Sequence, residues 1–150
     1  MGVKNAIQLA VDEVNAAGGV NGNKLKLVFE DDEADSGDKA VNAYNTLKDQ
    51  GMQILLGTVT TGSCLAVVDK SKQDNIFQFT PSASAQDVIA NDNCFQICFT
   101  DPNQGKASAD YIADNKVATK IGVIYDSSDA YSSGIYNAFK TEAAAKGLAF

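Results

Sequence analysis

The chain contains no histidine. That removes at one stroke a Ser-His-Asp triad, a Cys-His nucleophile pair and every His-ligated metal site. Positive charge is also scarce. Twelve Lys and Arg stand against 19 Asp and Glu, for a formal net charge of −7. Nucleic acid and anionic membrane surfaces both require clustered Lys and Arg, so both are disfavoured as partners. No apolar run approaches the roughly 20 residues that span a bilayer. No apolar segment of the signal-peptide kind follows Met1-Gly2-Val3-Lys4, and a removed leader stays open. Cysteine is limited to Cys64, Cys94 and Cys98. Cys94 and Cys98 would share one face of a strand at about 13 Å, too far for a disulfide between them. All three are expected as buried free thiols. Cys64 lies near a helix start, which can lower a thiol pKa, but it has no histidine to act as its base.

What is present is a chain of 150 residues, 45% hydrophobic and 21% charged. That is enough for one globular domain with a real core. The hydrophobic periods alternate between helix and strand. Val3, Ile7, Ala10, Val11 and Val14 form a helical stripe over 3–17, which Gly18-Gly19 should stop. Asn21-Gly22 signals a turn, and Leu25, Leu27 and Phe29 alternate as in a strand. A helix is expected over 37–50, capped by Asp35 or Ser36, with Val41, Tyr44 and Leu47 inward. Strands follow at 54–56, 76–80, 94–99 and 120–126, the last being the clearest, and a final strand enters at 148. Helices are expected over 62–73, 103–115 and 132–146, with a helical turn near 85–90. The alternation predicts an α/β fold of three layers, with a mostly parallel sheet and helices on both faces, flavodoxin-like in kind. Pro102 makes Thr100-Asp101-Pro102-Asn103 the expected hinge.

In such sheets ligands bind beyond the carboxyl ends of the strands. Three ends are rich in hydroxyls. Gly57-Thr58-Val59-Thr60-Thr61-Gly62-Ser63 opens a helix and suits a carboxylate; it lacks the Gly-Lys-Ser/Thr of a nucleotide-phosphate loop. Thr80-Pro81-Ser82-Ala83-Ser84 offers hydroxyl and carbonyl acceptors for an ammonium. Asp126 to Gly134 holds Tyr131, a candidate aromatic wall, and Ser132, a candidate N-cap. An anion seat beside a cation seat would suit a zwitterion. Each loop also reads plainly as a capped helix start or a Ser-rich turn. The acidic run from Asp31 to Asp38 fails as an EF-hand, since Ser36 stands where Gly is required and Asn42 where Glu is required. A phosphoacceptor receiver domain, the remote alternative, needs an Asp within Gly57-Thr58-Val59-Thr60, where none stands. No cofactor or metal is expected, and no catalytic activity.

Taken in order, these residues resemble the type I periplasmic binding proteins, specifically the branched-chain amino acid (leucine/isoleucine/valine) binding family. The segment from Ala6 to Gly22 is similar to that family's first helix and following turn, and Leu27 to Asp32 with Ala40 to its next strand and helix start. The hydroxyl-rich loops fall where the family places its ligand loops. The resemblance implies a non-catalytic recognition component of an ABC importer, periplasmic or extracellular, working with a membrane permease. It implies ligand contacts from Thr60, Thr61, Gly62, Ser63, Ser82, Ala83, Ser84 and Tyr131. Thr61 with the N–H groups near Gly62 would hold the α-carboxylate. Ser82 and Ser84 would hold the ammonium and carboxylate, and Tyr131 would close over from a second lobe. Residues 1–101 would make most of lobe one and 102–150 the beginning of lobe two, with weak ligand binding or none in this chain alone. The family's strand before Val3, which lies in the middle of its first sheet, has no counterpart. Two outcomes stay open: strand edges that pair in a swapped homodimer, a structural piece with no activity of its own, or a single domain whose sheet is completed from elsewhere in the chain.

Overall fold

The computed structural model describes residues 2–34 and 36–150. Five α-helices, α1 Gly2–Ala16, α2 Gly37–Asp49, α3 Thr61–Gln73, α4 Asp101–Asp114 and α5 Ala130–Ala145, accompany three short strands, β1 Ile54–Leu56, β2 Phe77–Thr80 and β3 Cys94–Gln96. A 3₁₀ turn covers Gln86–Ile89. The strands form one parallel sheet in the order β1-β2-β3, with Ile54 opposite Phe77 and Phe79 opposite Phe95.

The α/β class and the parallel sheet are as the alternation predicts. α2 and α3 cover one face of the sheet. Ala40, Tyr44, Leu55, Val67 and Ile76 make one buried cluster there, and Cys64, Val68, Ala83, Val88 and Cys94 make the next. The opposite face carries Ile54, Leu56, Phe77 and Phe95, all exposed, with Phe77 and Phe95 stacked at 5.4 Å. Among the described residues no second helical layer lies over these side chains. α1 buries only Val11, and Ala10 and Val14 of its predicted stripe are exposed.

Two expected strands are not strands here. Leu25 to Phe29 runs without a ladder. Its backbone is met by a side chain instead: Leu25 N–H donates to Asn15 Oδ1 at 2.7 Å, and Asn15 Nδ2 donates to the Leu25 carbonyl at 2.9 Å. The segment 120–126 contributes a single bridge, Lys120 to Ala149, which is also all that remains of the strand expected from 148. Ile124 is wholly exposed. Apolar alternation proposes a strand, but a ladder of neighbouring backbone groups makes one. Among the described residues the first segment has no such neighbour and the second has only the isolated bridge to Ala149, so the sheet stays open beyond β1. The strand expected over 94–99 likewise ends at Gln96.

The turn signals fare better. Gly18 and Gly19 adopt positive φ and end α1, and a Cβ on Gly19 would fall 2.0 Å from the Asn23 carbonyl oxygen. Asn21 and Gly22, both at positive φ, form the turn that joins Val20 to Asn23. Ser36 stands at the N-cap of α2 without a side-chain cap bond, and Asp35 lies outside the described residues. Pro102 does not break the chain as expected. It occupies the first turn of α4, where its missing N–H is not needed.

α4 and α5 pack side by side in parallel, Asp101 against Gly134 at their starts and Asp110 paired with Lys146 toward their ends, around Ala109, Phe139 and Ala143, a third cluster separate from the two at the sheet. Among the described residues no helix is long and apolar enough to cross a membrane.

Candidate functional site

β2 organises the site by an inversion. Its aromatic residues face outward, while Gln78 and Thr80 point into the covered face and are fully buried. A buried amide must be partnered, and this one is. Gln78 Nε2 donates to the Gly57 carbonyl at 3.1 Å and to Cys64 Sγ at 3.3 Å, and its Oε1 accepts from Ser71 Oγ at 2.7 Å. Thr80 Oγ1 donates to the Thr58 carbonyl at 2.7 Å and accepts from Ala83 N–H at 3.1 Å. One strand thus holds the loop after β1 and the loop after itself in register with each other.

The two loops meet at Thr61, whose Oγ1 accepts from Ser84 N–H at 3.2 Å. Thr61 opens α3, and the first N–H groups of that helix have no intrahelical acceptor. Ser84 Oγ in turn donates to Asp101 Oδ1 at 2.6 Å, and Asp101 N–H donates back to the Ser84 carbonyl at 2.9 Å. The link carries the loops of β1 and β2 to the start of α4. Burial and the charge of Asp129 hold the Asp101 carboxyl above the usual carboxylate range, while the Ser84 hydrogen bond opposes them.

From α5 the third loop completes the wall. Asp129, not Ser132, is its N-cap, accepting from Ser132 N–H at 2.8 Å. Tyr131 follows in the first turn, exposed, with Gln104 Nε2 of α4 at 3.5 Å from its hydroxyl. Together the loops enclose a cleft of about 370 Å³ lined by Val59, Thr60, Thr61, Ser82, Ser84, Cys98, Phe99, Gln104, Asp129 and Tyr131.

Of the sequence-predicted residues, Thr60, Thr61, Ser82, Ser84 and Tyr131 line this cleft. Gly62, Ser63 and Ala83 do not. Ser63 and Ala83 are turned into the interior, Ala83 packed in the cluster with Cys64. Val59, Cys98, Phe99, Gln104 and Asp129 were not singled out beforehand. Gln104 and Phe99 reach the cleft only because α4 starts at Asp101, and no spacing signals that. Asp129 carried a signal, as an Asp just before a helix.

The cysteines are free, Cys64 and Cys94 buried and Cys98 partly so. The helix-start lowering considered for Cys64 is reversed: its hydrogen bond with Cys94 and its burial push the thiol up. The same hydrogen bond lowers the Cys94 thiol, against its burial. Among the described residues no group of three His, Cys, Asp or Glu is placed to hold a metal ion.

Comparison with known proteins gives the cleft its context. The family described as periplasmic binding protein matches residues 1–150. The chain belongs to the periplasmic binding protein family. It is 36% identical over 140 residues, 92% of this chain and 38% of the relative, to the Leu/Ile/Val-binding protein homolog 3 of Brucella melitensis biotype 1. It is 32% identical over 148 residues, 97% of this chain and 40% of the relative, to the Leu/Ile/Val-binding protein BraC3 of Rhizobium johnstonii. Among solved structures, it superposes with a TM-score of 0.83 and 28% identity on the branched-chain amino acid transporter substrate-binding protein LivJ of Streptococcus pneumoniae in complex with isoleucine, covering 90% of this chain and 39% of that one. The chain therefore spans about two fifths of the length of the relatives it matches.

Proposed function

We propose that the cleft recognises a free amino acid, branched-chain or a similar zwitterion, as part of the non-catalytic substrate-binding component of an ABC importer. One observation carries this reading. Three loops distant in sequence converge on a single cleft whose first wall is a helix start carrying the Thr61 hydroxyl and whose second wall is a run of acceptors. Membership of the periplasmic binding protein family supports it, as do the names of the relatives. In this reading the protein works outside the cytoplasmic membrane beside a permease.

In this reading Thr61 and the N–H groups at the start of α3 hold the ligand carboxylate. Ser82 and Ser84 face the ammonium, and Tyr131 covers the ligand from the α5 side. Residues 1–101 belong to lobe one and 102–150 open lobe two, a division that fits the separate cluster around Phe139. Gly62 and Ser63 contribute backbone groups only, and Ala83 acts as a spacer. With Tyr131 42% exposed, the ligand is incompletely enclosed. Affinity for leucine is then weaker than about millimolar, because the ordering cost of binding remains while few contacts offset it.

The test is chemical-shift mapping of the chain with leucine, against acetate and leucine amide. Shifts confined to 58–63, 82–84 and 129–131, lost in Thr61→Ala, are the expected result. Shifts centred elsewhere, or equal shifts with leucine amide, would exclude this site. A second reading, a swapped dimer with no ligand, draws on the open edge of β1 and the bare face around Phe77 and Phe95. A dimeric mass by light scattering, together with silence of the cleft residues toward leucine, would favour it.

A further inference from the structure

Asp101 is 1% exposed, yet only half of its carboxylate is satisfied. Oδ1 accepts from Ser84 Oγ. Oδ2 meets no donor among the described residues. It faces Gly134 of α5, where a Cβ would come within 2.8 Å of it. A buried charge with an orphaned oxygen is costly and calls for an explanation.

Ser84 provides one. A serine hydroxyl has a single proton and two lone pairs. Once that proton is given to Asp101, the hydroxyl has only lone pairs left for anything in the cleft. Thr61 is the converse. Its oxygen accepts from Ser84 N–H, and no acceptor among the described residues takes its proton, which is left for the cleft. Two adjoining hydroxyls, chemically alike in sequence, therefore present opposite polarity. A neutral residue at 101 that could itself donate would leave Ser84 free to turn either way.

We infer that Asp101 is a positioning residue, which holds Ser84 as an acceptor for a ligand cation while Thr61 donates to the ligand anion. The inference rests on the cleft being a zwitterion site. It adds that the order of charges is set from behind, by a carboxylate that does not itself line the cleft. The consequence is selectivity. An acid with the same side chain but no ammonium leaves the Ser84 lone pairs unmatched and is rejected.

The direction of the Ser84–Asp101 hydrogen bond can be read without any ligand. The carboxyl carbon of Asp101 is titrated by NMR in the wild-type chain, Ser84→Ala and Ser84→Thr. The charged group facing Asp101 from the α5 side is Asp129, so Asp129→Asn serves as the control and should lower the midpoint. If Ser84 donates to the carboxylate, its loss removes support from the charged form. The midpoint then rises in Ser84→Ala and is restored in Ser84→Thr. A fall, or no movement, means that Ser84 is not the donor and overturns the inference.

The ligand arm compares leucine with 4-methylpentanoate, which lacks only the ammonium. The wild-type chain should favour leucine by about tenfold or more, as expected for a hydrogen bond to a charged group, and Asp101→Leu should bring the ratio toward one. Asp101→Asn, which keeps the shape, is the second variant should Asp101→Leu not fold; it should lower the ratio partially. An unchanged ratio in a folded variant overturns the positioning role. If leucine does not bind while the Ser84→Ala midpoint rises, the zwitterion reading fails and the hydroxyl polarity stands.

Discussion

Gly105 of α4 lies against the backbone of Phe139 of α5, so close that a Cβ on it would stand 2.7 Å from the Phe139 amide nitrogen and 2.4 Å from the Ile135 carbonyl oxygen. Both atoms belong to a helix backbone and cannot swing aside. Alanine is the better helix former by about 1 kcal/mol, but overpacking of this kind typically costs about 1–3 kcal/mol. Gly105→Ala should therefore be net destabilising, and urea unfolding followed at the Tyr125–Tyr136 stack would read it. A variant as stable as the wild type would mean that the helices cross at greater distance.

The two faces of the sheet should differ sharply in their response to truncation. Leu55 is 6% exposed and packed under α2 and α3, whereas its neighbour Ile54 is 57% exposed on the bare face. Leu55→Ala should cost about 2–5 kcal/mol. Ile54→Ala should cost under about 1 kcal/mol, since little area leaves contact. Equal losses in chemical denaturation would show that the Ile54 face is covered in solution.

Gln78 holds the loop after β1 through the Gly57 carbonyl and is itself held by Ser71. Gln78→Ala removes its bonds to Gly57, Ser71 and Cys64 at a buried position and should lower stability by about 1–3 kcal/mol for each group left unpaired. The leucine-induced shifts at Thr61 should weaken in parallel, because the start of α3 loses its anchor. Loss of stability with full retention of those shifts would separate the loop from Gln78.

The α4–α5 pair should be sensitive to acid through Asp110. Lys146 at 2.9 Å and Lys106 at 2.9 Å hold its carboxyl down to about 2 from an ordinary 3.8. Its folded pKa is thus below its unfolded one. Its contribution is fully present above the unfolded value and is lost as pH falls from about 4 toward 2. Asp101 has the opposite sign: its raised pKa means that its ionisation, as pH rises above its ordinary value, lowers stability. Thermal unfolding across this range should show a shallower acid loss in Asp110→Asn, and the difference should shrink in high salt, because Asp110 is exposed to screening. A wild-type acid slope in Asp110→Asn would sink the assignment.

Much of the lining of the candidate cleft is legible in the sequence because its residues lie at strand ends and helix starts, which punctuation and period reveal. Thr60, Thr61, Ser82, Ser84 and Tyr131 were found in this way and line one cleft. The Ser63 side chain lies outside the cleft because a hydroxyl at a helix start can turn either way, and here it is buried. Asp101 read only as the residue before a proline. Its burial depends on Ser84, 17 residues away, and on Gly134 in another helix.

By itself, the sequence determined the alternation of helices and strands, the turn at Asn21-Gly22 and the absence of histidine chemistry. It also determined the hydroxyl-rich loops. Each is local, set by backbone conformation, side-chain period or composition within a few residues. Only the tertiary structure decided which apolar runs are strands. Leu25 to Phe29 and Ile121 to Tyr125 have the pattern of strands, but no neighbour completes a ladder for them. It also decided which face of β2 is inside, placing Gln78 and Thr80 in and Phe77 out. The polarity of the cleft was decided there too, because a hydroxyl's proton goes to whichever acceptor the fold brings to it, and for Ser84 that acceptor is Asp101.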